Sequence, residues 1–225
     1  MHIFSVIILM YHGDNICTFN FNNLNAGYSF SNMFTNCTNL KYIPKNKFDI
    51  SELKSISKLE NFCLNCTSLT GIPDGLNFKN ITNKTNNILN MFNNCQSILE
   101  ITNNNIFCSE YITKYNYIFK DCINLSSVSN VVHLPSTVTE AKGLFQNCSE
   151  LTNFPELSSF FPTTFDIYEN RSLDISNIFY GCSKLSGTIP DVLLNPTIEI
   201  IGTGAFKGCT SSNFTNWNSL PDNWK

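Results

Sequence analysis

Apolar residues in this chain do not follow the 3.6 period of a long helix or the strict alternation of a long strand; they return in one short phrase. It is first complete at Phe34, Cys37, Leu40, Ile43 and Pro44, a pattern of F-x-x-C-x-x-L-x-x-I-P. It recurs as Cys63, Cys66, Leu69, Ile72 and Pro73; as Phe92, Cys95, Ile98 and Ile101; as Phe119, Cys122, Leu125 and Val128; and as Phe145, Cys148, Leu151, Phe154 and Pro155. Phe179, Cys182, Leu185, Ile189 and Pro190 carry one added residue before the isoleucine, and after Phe206 and Cys209 the phrase dissolves. The repeat cysteines are 29, 29, 27, 26, 34 and 27 residues apart, the range of a leucine-rich-repeat coil and too short for a propeller blade.

A unit of this length cannot bury its own apolar face and must stack on its neighbours. The expected fold is therefore an α/β repeat, a leucine-rich-repeat solenoid of about seven coils. Short parallel strands should form one face, with turns and short helical pieces on the other. The L-x-x-I segment is read as the strand, because the proline that follows would end a parallel ladder. Phe and Cys three residues apart share one side of a helical turn, so Phe-x-x-Cys is read as that turn. Apolar groups between phrases, such as Val131/Val132/Leu134, Val192/Leu193/Leu194 and Ile198/Ile200/Ile201, should form a second wall. The 34-residue spacing puts its excess around residues 160–172, read as a surface excursion.

Three regions follow. Residues 1–30 are an N-terminal capping segment or a signal-like start, 31–210 the solenoid, and 211–225 an aromatic C-terminal cap. The first region holds the apolar run Ile3–Tyr11, too short for the ~20 residues that span a bilayer. It lacks a preceding basic residue and a following A-x-A-like site, so no clear signal peptide is present. The last region holds both tryptophans, with Phe214, Trp217, Leu220 and Trp224 spaced to lay rings over the final coil.

Composition narrows the function. With 14% charged residues and a net charge of −3, the chain has no electrostatic footprint for nucleic acid. Three scattered histidines, His2, His12 and His133, are little material for acid–base chemistry. No enzymatic activity and no cofactor are expected. Asparagine fills 34 of 225 positions, an excess read as turn chemistry because Asn tolerates left-handed backbone. The sequons at Asn36, Asn65, Asn80, Asn83, Asn124, Asn147, Asn170 and Asn213 are what such a composition produces by chance and do not assign a compartment.

The phrase resembles the BspA-type leucine-rich repeat family of surface proteins. The M-F-x-N-C-x-x-L form in residues 32–40 and 90–98 is similar to one subgroup, and Ile198–Cys209 resembles the other through its I-x-x-I-G-x-x-A-F-x-x-C cadence. The likeness runs from about residue 30 to 210. It implies a surface-exposed or secreted, adhesin-like binding protein with no catalytic residues to carry over.

Cysteines at one position of every coil, Cys37, Cys66, Cys95, Cys122, Cys148, Cys182 and Cys209, are read as a structural ladder of buried, reduced thiols. Cys63-x-x-Cys66 has zinc-knuckle spacing, but no second such pair completes four ligands, and no metal is expected. If Leu40 and Ile43 face inward, the outward residues of the strand face are Tyr42, Gly71, Glu100, Ser127, Asn153 and Thr188. They are small, polar and nearly uncharged, suited to a broad contact with a protein or glycan by a monomeric, non-catalytic module. The second reading is a spacer in a longer surface protein, without its own ligand.

Overall fold

The computed structural model describes residues 28–84, 88–152, 157–165, 172–194 and 196–225. Regular secondary structure is sparse among them. Six strands of two or three residues, β1 (Tyr28–Ser29), β2 (Ile56–Lys58), β3 (Glu100–Ile101), β4 (Ser127–Val128), β5 (Ser172–Asp174) and β6 (Glu199–Ile201), pair in parallel as β1–β2, β3–β4 and β5–β6. Two four-residue helices, α1 (Leu157–Phe160) and α2 (Asp191–Leu194), and three 3-10 turns between Ser211 and Trp224 complete the elements.

Much of the pairing between repeats lies outside these strands, along the Phe segment. The Phe34 N–H donates to the Phe62 carbonyl at 2.8 Å, Cys63 to Met91 at 2.7 Å and Phe92 to Ile118 at 2.9 Å. Phe119 donates to Leu144, Phe145 to Ile178 and Phe179 to Ala205. The same segment closes tight turns, with the Cys37 N–H on the Phe34 carbonyl and the Cys148 N–H on that of Phe145, both at 3.1 Å. The L-x-x-I segment is strand only at β3 and β4, with single bonds elsewhere, such as the Thr70 N–H to the Lys41 carbonyl. The expected division into a strand at L-x-x-I and a helical turn at Phe-x-x-Cys thus differs from what is found: the turn segment also carries the inter-repeat ladder.

The cause is the backbone on either side of the phenylalanine. Asn32 and Asn36, Asn61 and Asn65, and Asn90 and Asn94 all have φ between 55° and 63°, and Gly143 and Asn147 hold the same places at 53° and 62°. Left-handed residues interrupt the alternation that sends successive strand side chains to opposite faces. Two adjacent side chains then go inside together: Met33 with Phe34, Phe62 with Cys63, Met91 with Phe92, Ile118 with Phe119 and Leu144 with Phe145. Cys63 at the phenylalanine position therefore leaves no gap, because Phe62 is fully buried and its ring lies 5.3 Å from Phe34 and 5.1 Å from Phe48. The asparagines also bond each other, Asn65 Nδ2 to Asn36 Oδ1 at 2.8 Å and Asn94 Nδ2 to Asn65 Oδ1 at 3.0 Å.

From Phe92 to Phe179 the phenylalanine rings of successive repeats lie parallel. Phe92 and Phe119 are 5.6 Å apart at 9°, Phe119 and Phe145 5.8 Å at 6°, and Phe145 and Phe179 5.8 Å at 3°. Opposite them, Phe48, Phe78, Phe107, Val132, Leu134 and Leu193 are buried, while Val131 is exposed and Ile198 and Ile200 are only partly covered. Of the stretch expected to be an excursion, Phe160, Phe161 and Phe165 enter the core, Thr163 and Thr164 are exposed, and residues 166–171 lie outside the described residues. Phe160 sits edge-on to Phe145 at 5.7 Å, so apolar burial outweighs the turn signals of its neighbours.

The last repeat would leave N–H groups unpaired where a further repeat would have accepted them. Residues of the tail supply the acceptors: Gly204 N–H donates to the Asn223 carbonyl and Phe206 N–H to that of Trp224, both at 2.7 Å. The Trp224 ring lies over Gly202, where an added Cβ would come within 2.2 Å of the indole. Gly202→Ala is accordingly expected to displace Trp224 and lower stability by about 2–3 kcal/mol. Gly71→Ala, with nothing within 4 Å of the new Cβ, should change it by less than about 0.5 kcal/mol. Urea denaturation of the two variants checks the pair, and equal stabilities would mean that the ring does not hold this position.

Candidate functional site

The outward residues of the repeat phrase come together only in part. Tyr42 is 66% exposed, Glu100 and Thr188 are exposed, and Gly71 and Ser127 are half-buried. Glu100 and Ser127 are register partners in the β3–β4 pair, and the Thr70 N–H to Lys41 carbonyl bond brings the segments of Tyr42 and Gly71 side by side. Thr188 is tied instead to the tail, its Oγ1 2.8 Å from that of Thr215. Asn153 lies outside the described residues.

Next to this row runs a second that the sequence pattern did not single out: Lys41, Thr70, Leu99, Ser126 and Thr152, all exposed. Its hydroxyls donate to the carbonyl of the preceding repeat, Thr70 Oγ1 to Lys41, Ser126 Oγ to Leu99 and Thr152 Oγ1 to Ser126. Leu99 is 56% exposed beside Glu100, an apolar group amid polar ones. The surface is sparsely charged, through Lys41 and Glu100, with one tyrosine and one leucine as its large apolar groups.

The cysteines have a different geometry. Six sulfurs donate to a carbonyl of the preceding repeat: Cys66 to Phe34 at 3.0 Å, Cys95 to Cys63 at 3.1 Å, Cys122 to Phe92 at 3.2 Å, Cys148 to Phe119 at 3.1 Å, Cys182 to Phe145 at 3.0 Å and Cys209 to Phe179 at 3.3 Å. All nine described cysteines are free thiols. Burial pushes Cys95, Cys148 and Cys182 up and carries Cys122 and Cys209 to about 12, so these sulfurs are neutral donors at physiological pH and poor nucleophiles. Cys63 is likewise raised, first by burial and then by its hydrogen bond with Cys66. Cys37 is half-buried, Cys108 is exposed with its thiol on the Asn105 carbonyl, and Cys17 lies outside the described residues. His133 is exposed, its Nδ1 3.1 Å from the Val131 carbonyl oxygen.

Among the described residues, no group of three or more His, Cys, Asp or Glu side chains is placed to hold a metal ion. The densest charged cluster is compensated internally. Lys114 and Lys142 pair with Glu140, and Lys142 pairs with Asp174 at 3.1 Å. Burial raises Glu140, but Lys114, Asn116 and Lys142 outweigh it and hold the carboxyl below its ordinary value. Such a cluster joins neighbouring segments, since bridges align Lys114, Glu140 and Asp174 in parallel. The sequon amides are also committed: Nδ2 of Asn65, Asn80, Asn83, Asn124, Asn147 and Asn213 each donates to a residue of a preceding repeat.

No protein-family model matches the chain, and neither a curated protein nor a solved structure does. Among the described residues no helix is long and apolar enough to cross a membrane.

Proposed function

We propose that the chain is a leucine-rich-repeat solenoid of the BspA type that recognises a protein or glycan at a cell surface, acts as a monomer and catalyses nothing. The observation that carries this reading is the sparsely charged outer surface formed by the two rows, where exposed Tyr42, Leu99 and Glu100 stand among short polar residues. An array of this kind suits a broad contact with a few large anchors. Residues 211–225 act as the C-terminal cap in this reading, since Asn223 and Trp224 give the last repeat its missing acceptors.

The hydroxyl bonds in the neighbouring row favour a second reading. A threonine whose Oγ1 already donates to the backbone of the preceding repeat is a strut between repeats, and a face made of struts is what a ligand-free spacer requires. Purified protein on an array of glycans and surface proteins separates the two. A bound ligand should lose about tenfold in affinity to Tyr42→Ala/Glu100→Ala/Ser127→Ala, in keeping with the loss of one anchor and its neighbours. Equal binding by both proteins removes the row from consideration. A folded protein that binds nothing is the spacer.

A further inference from the structure

The tail does more than cover the last repeat. Between Ser211 and Ser219 its turns enclose an open cleft of about 640 Å³, within the range of roughly 300–1,000 Å³ typical of small-ligand sites. Two of its eight lining residues are aromatic, Phe214 and Trp217. Phe214 is buried edge-on to Phe206 at 5.8 Å, and half-buried Trp217 lies 5.3 Å from Phe214. Every other lining residue is Ser, Thr or Asn, and none is charged.

The cleft is held from below. Thr215 N–H donates to the Gly187 carbonyl, Gly187 N–H to the Asn213 carbonyl, and the Asn216 side chain both accepts from and donates to the Ile189 backbone, at 2.8 and 2.9 Å. These bonds fix the walls before any ligand arrives, which lowers the ordering cost of binding. The rim is unspent. The side chains of Ser211, Ser212, Asn218 and Ser219, and the Trp217 indole N–H, have no hydrogen-bond partner among the described residues. The result is a group of neutral donors and acceptors around one indole.

We infer that this cleft binds a neutral oligosaccharide. A sugar ring offers a C–H face to an aromatic surface and hydroxyls at its edge, each able to donate and accept. Trp217 meets the first and the Ser and Asn groups the second. An anionic or cationic ligand would find no opposite charge in the lining to offset its desolvation. An apolar peptide anchor would leave the rim polar groups buried without partners. The inference goes beyond the function proposed above: it is a separate contact, placed at the tail, away from the Tyr42 row.

The test is calorimetric titration of the intact protein with cellohexaose, chitohexaose and mannohexaose, beside an anionic heparin hexasaccharide. At least one neutral hexasaccharide should bind. Ser212→Ala/Asn218→Ala, two exposed positions whose loss leaves the fold intact, should weaken it about tenfold through the lost hydrogen bonds. Trp217→Leu should abolish it, with Trp217→Phe restoring part. Lys54→Ala, at an exposed position outside the tail, should leave the titration unchanged. No heat from any neutral sugar at about 10 mM, binding of the heparin fragment alone, or full binding by Ser212→Ala/Asn218→Ala would each overturn the inference. An array ligand that depends on Tyr42 while the sugar titrations stay flat would sink the cleft and leave the recognition reading standing.

Discussion

Phe145→Ala is expected to lower the unfolding free energy by about 3–5 kcal/mol, the cost of truncating a fully buried phenylalanine. Among the described residues its ring lies beside those of Phe119 and Phe179 in neighbouring repeats, parallel at 5.8 Å, and of Phe160, edge-on at 5.7 Å. The cavity would open between repeats joined through Phe145 N–H to the Ile178 carbonyl and through Phe119 N–H to that of Leu144. Those backbone bonds keep the walls from collapsing inward, which places the loss in the upper part of the range. Tyr42→Ala, at an exposed site, should stay within about 0.5 kcal/mol. Urea denaturation of both variants measures the difference. A loss under about 1 kcal/mol for Phe145→Ala would show that the parallel ring row does not hold the repeats together.

Alkaline pH should unfold the protein steeply. Cys122 and Cys209 are raised by burial from 9.0 to about 12, and burial raises Cys95, Cys148 and Cys182 as well. In the unfolded chain these thiols return to the ordinary value. Below pH 9 both states hold their protons, and the thiols add no pH dependence. Between 9 and about 12 the unfolded chain releases protons that the folded chain keeps, so stability falls as pH rises through that window. Each such thiol contributes about 1.4 kcal/mol per pH unit, and several together would exhaust a stability of about 5–15 kcal/mol within two or three units. Tyr115, raised mainly by burial, adds in the same direction at higher pH. Urea midpoints at pH 7.5, 9.0 and 10.0 follow the fall, and Cys122→Ala/Cys148→Ala should make it shallower. A flat profile to pH 10.0 would mean that the sulfurs reach water in the folded state.

Sequence alone determined the repeat and its inward set. Phe, Cys, Leu and Ile return at nearly constant spacing, and every described member of that set is buried or packed against the core. Periodicity reports this because each repeat meets the same neighbours, so each selects the same residue type at the same place. Asparagine's left-handed role was also legible in its abundance, and eight asparagines among the described residues have φ between 55° and 63°. Only the tertiary structure decided where the repeats pair. Left-handed residues on both sides of the phenylalanine break the alternation on which a strand pattern depends, which hid the paired burial of Phe62 with Cys63 and moved the ladder into the turn segment. Turn-forming neighbours likewise concealed Phe160, Phe161 and Phe165, which enter the core through contacts distant in sequence. The cleft at the tail was illegible for the same reason: Trp217 reads as one more apolar residue until Phe206 and Phe214 fix which part of the indole water can reach.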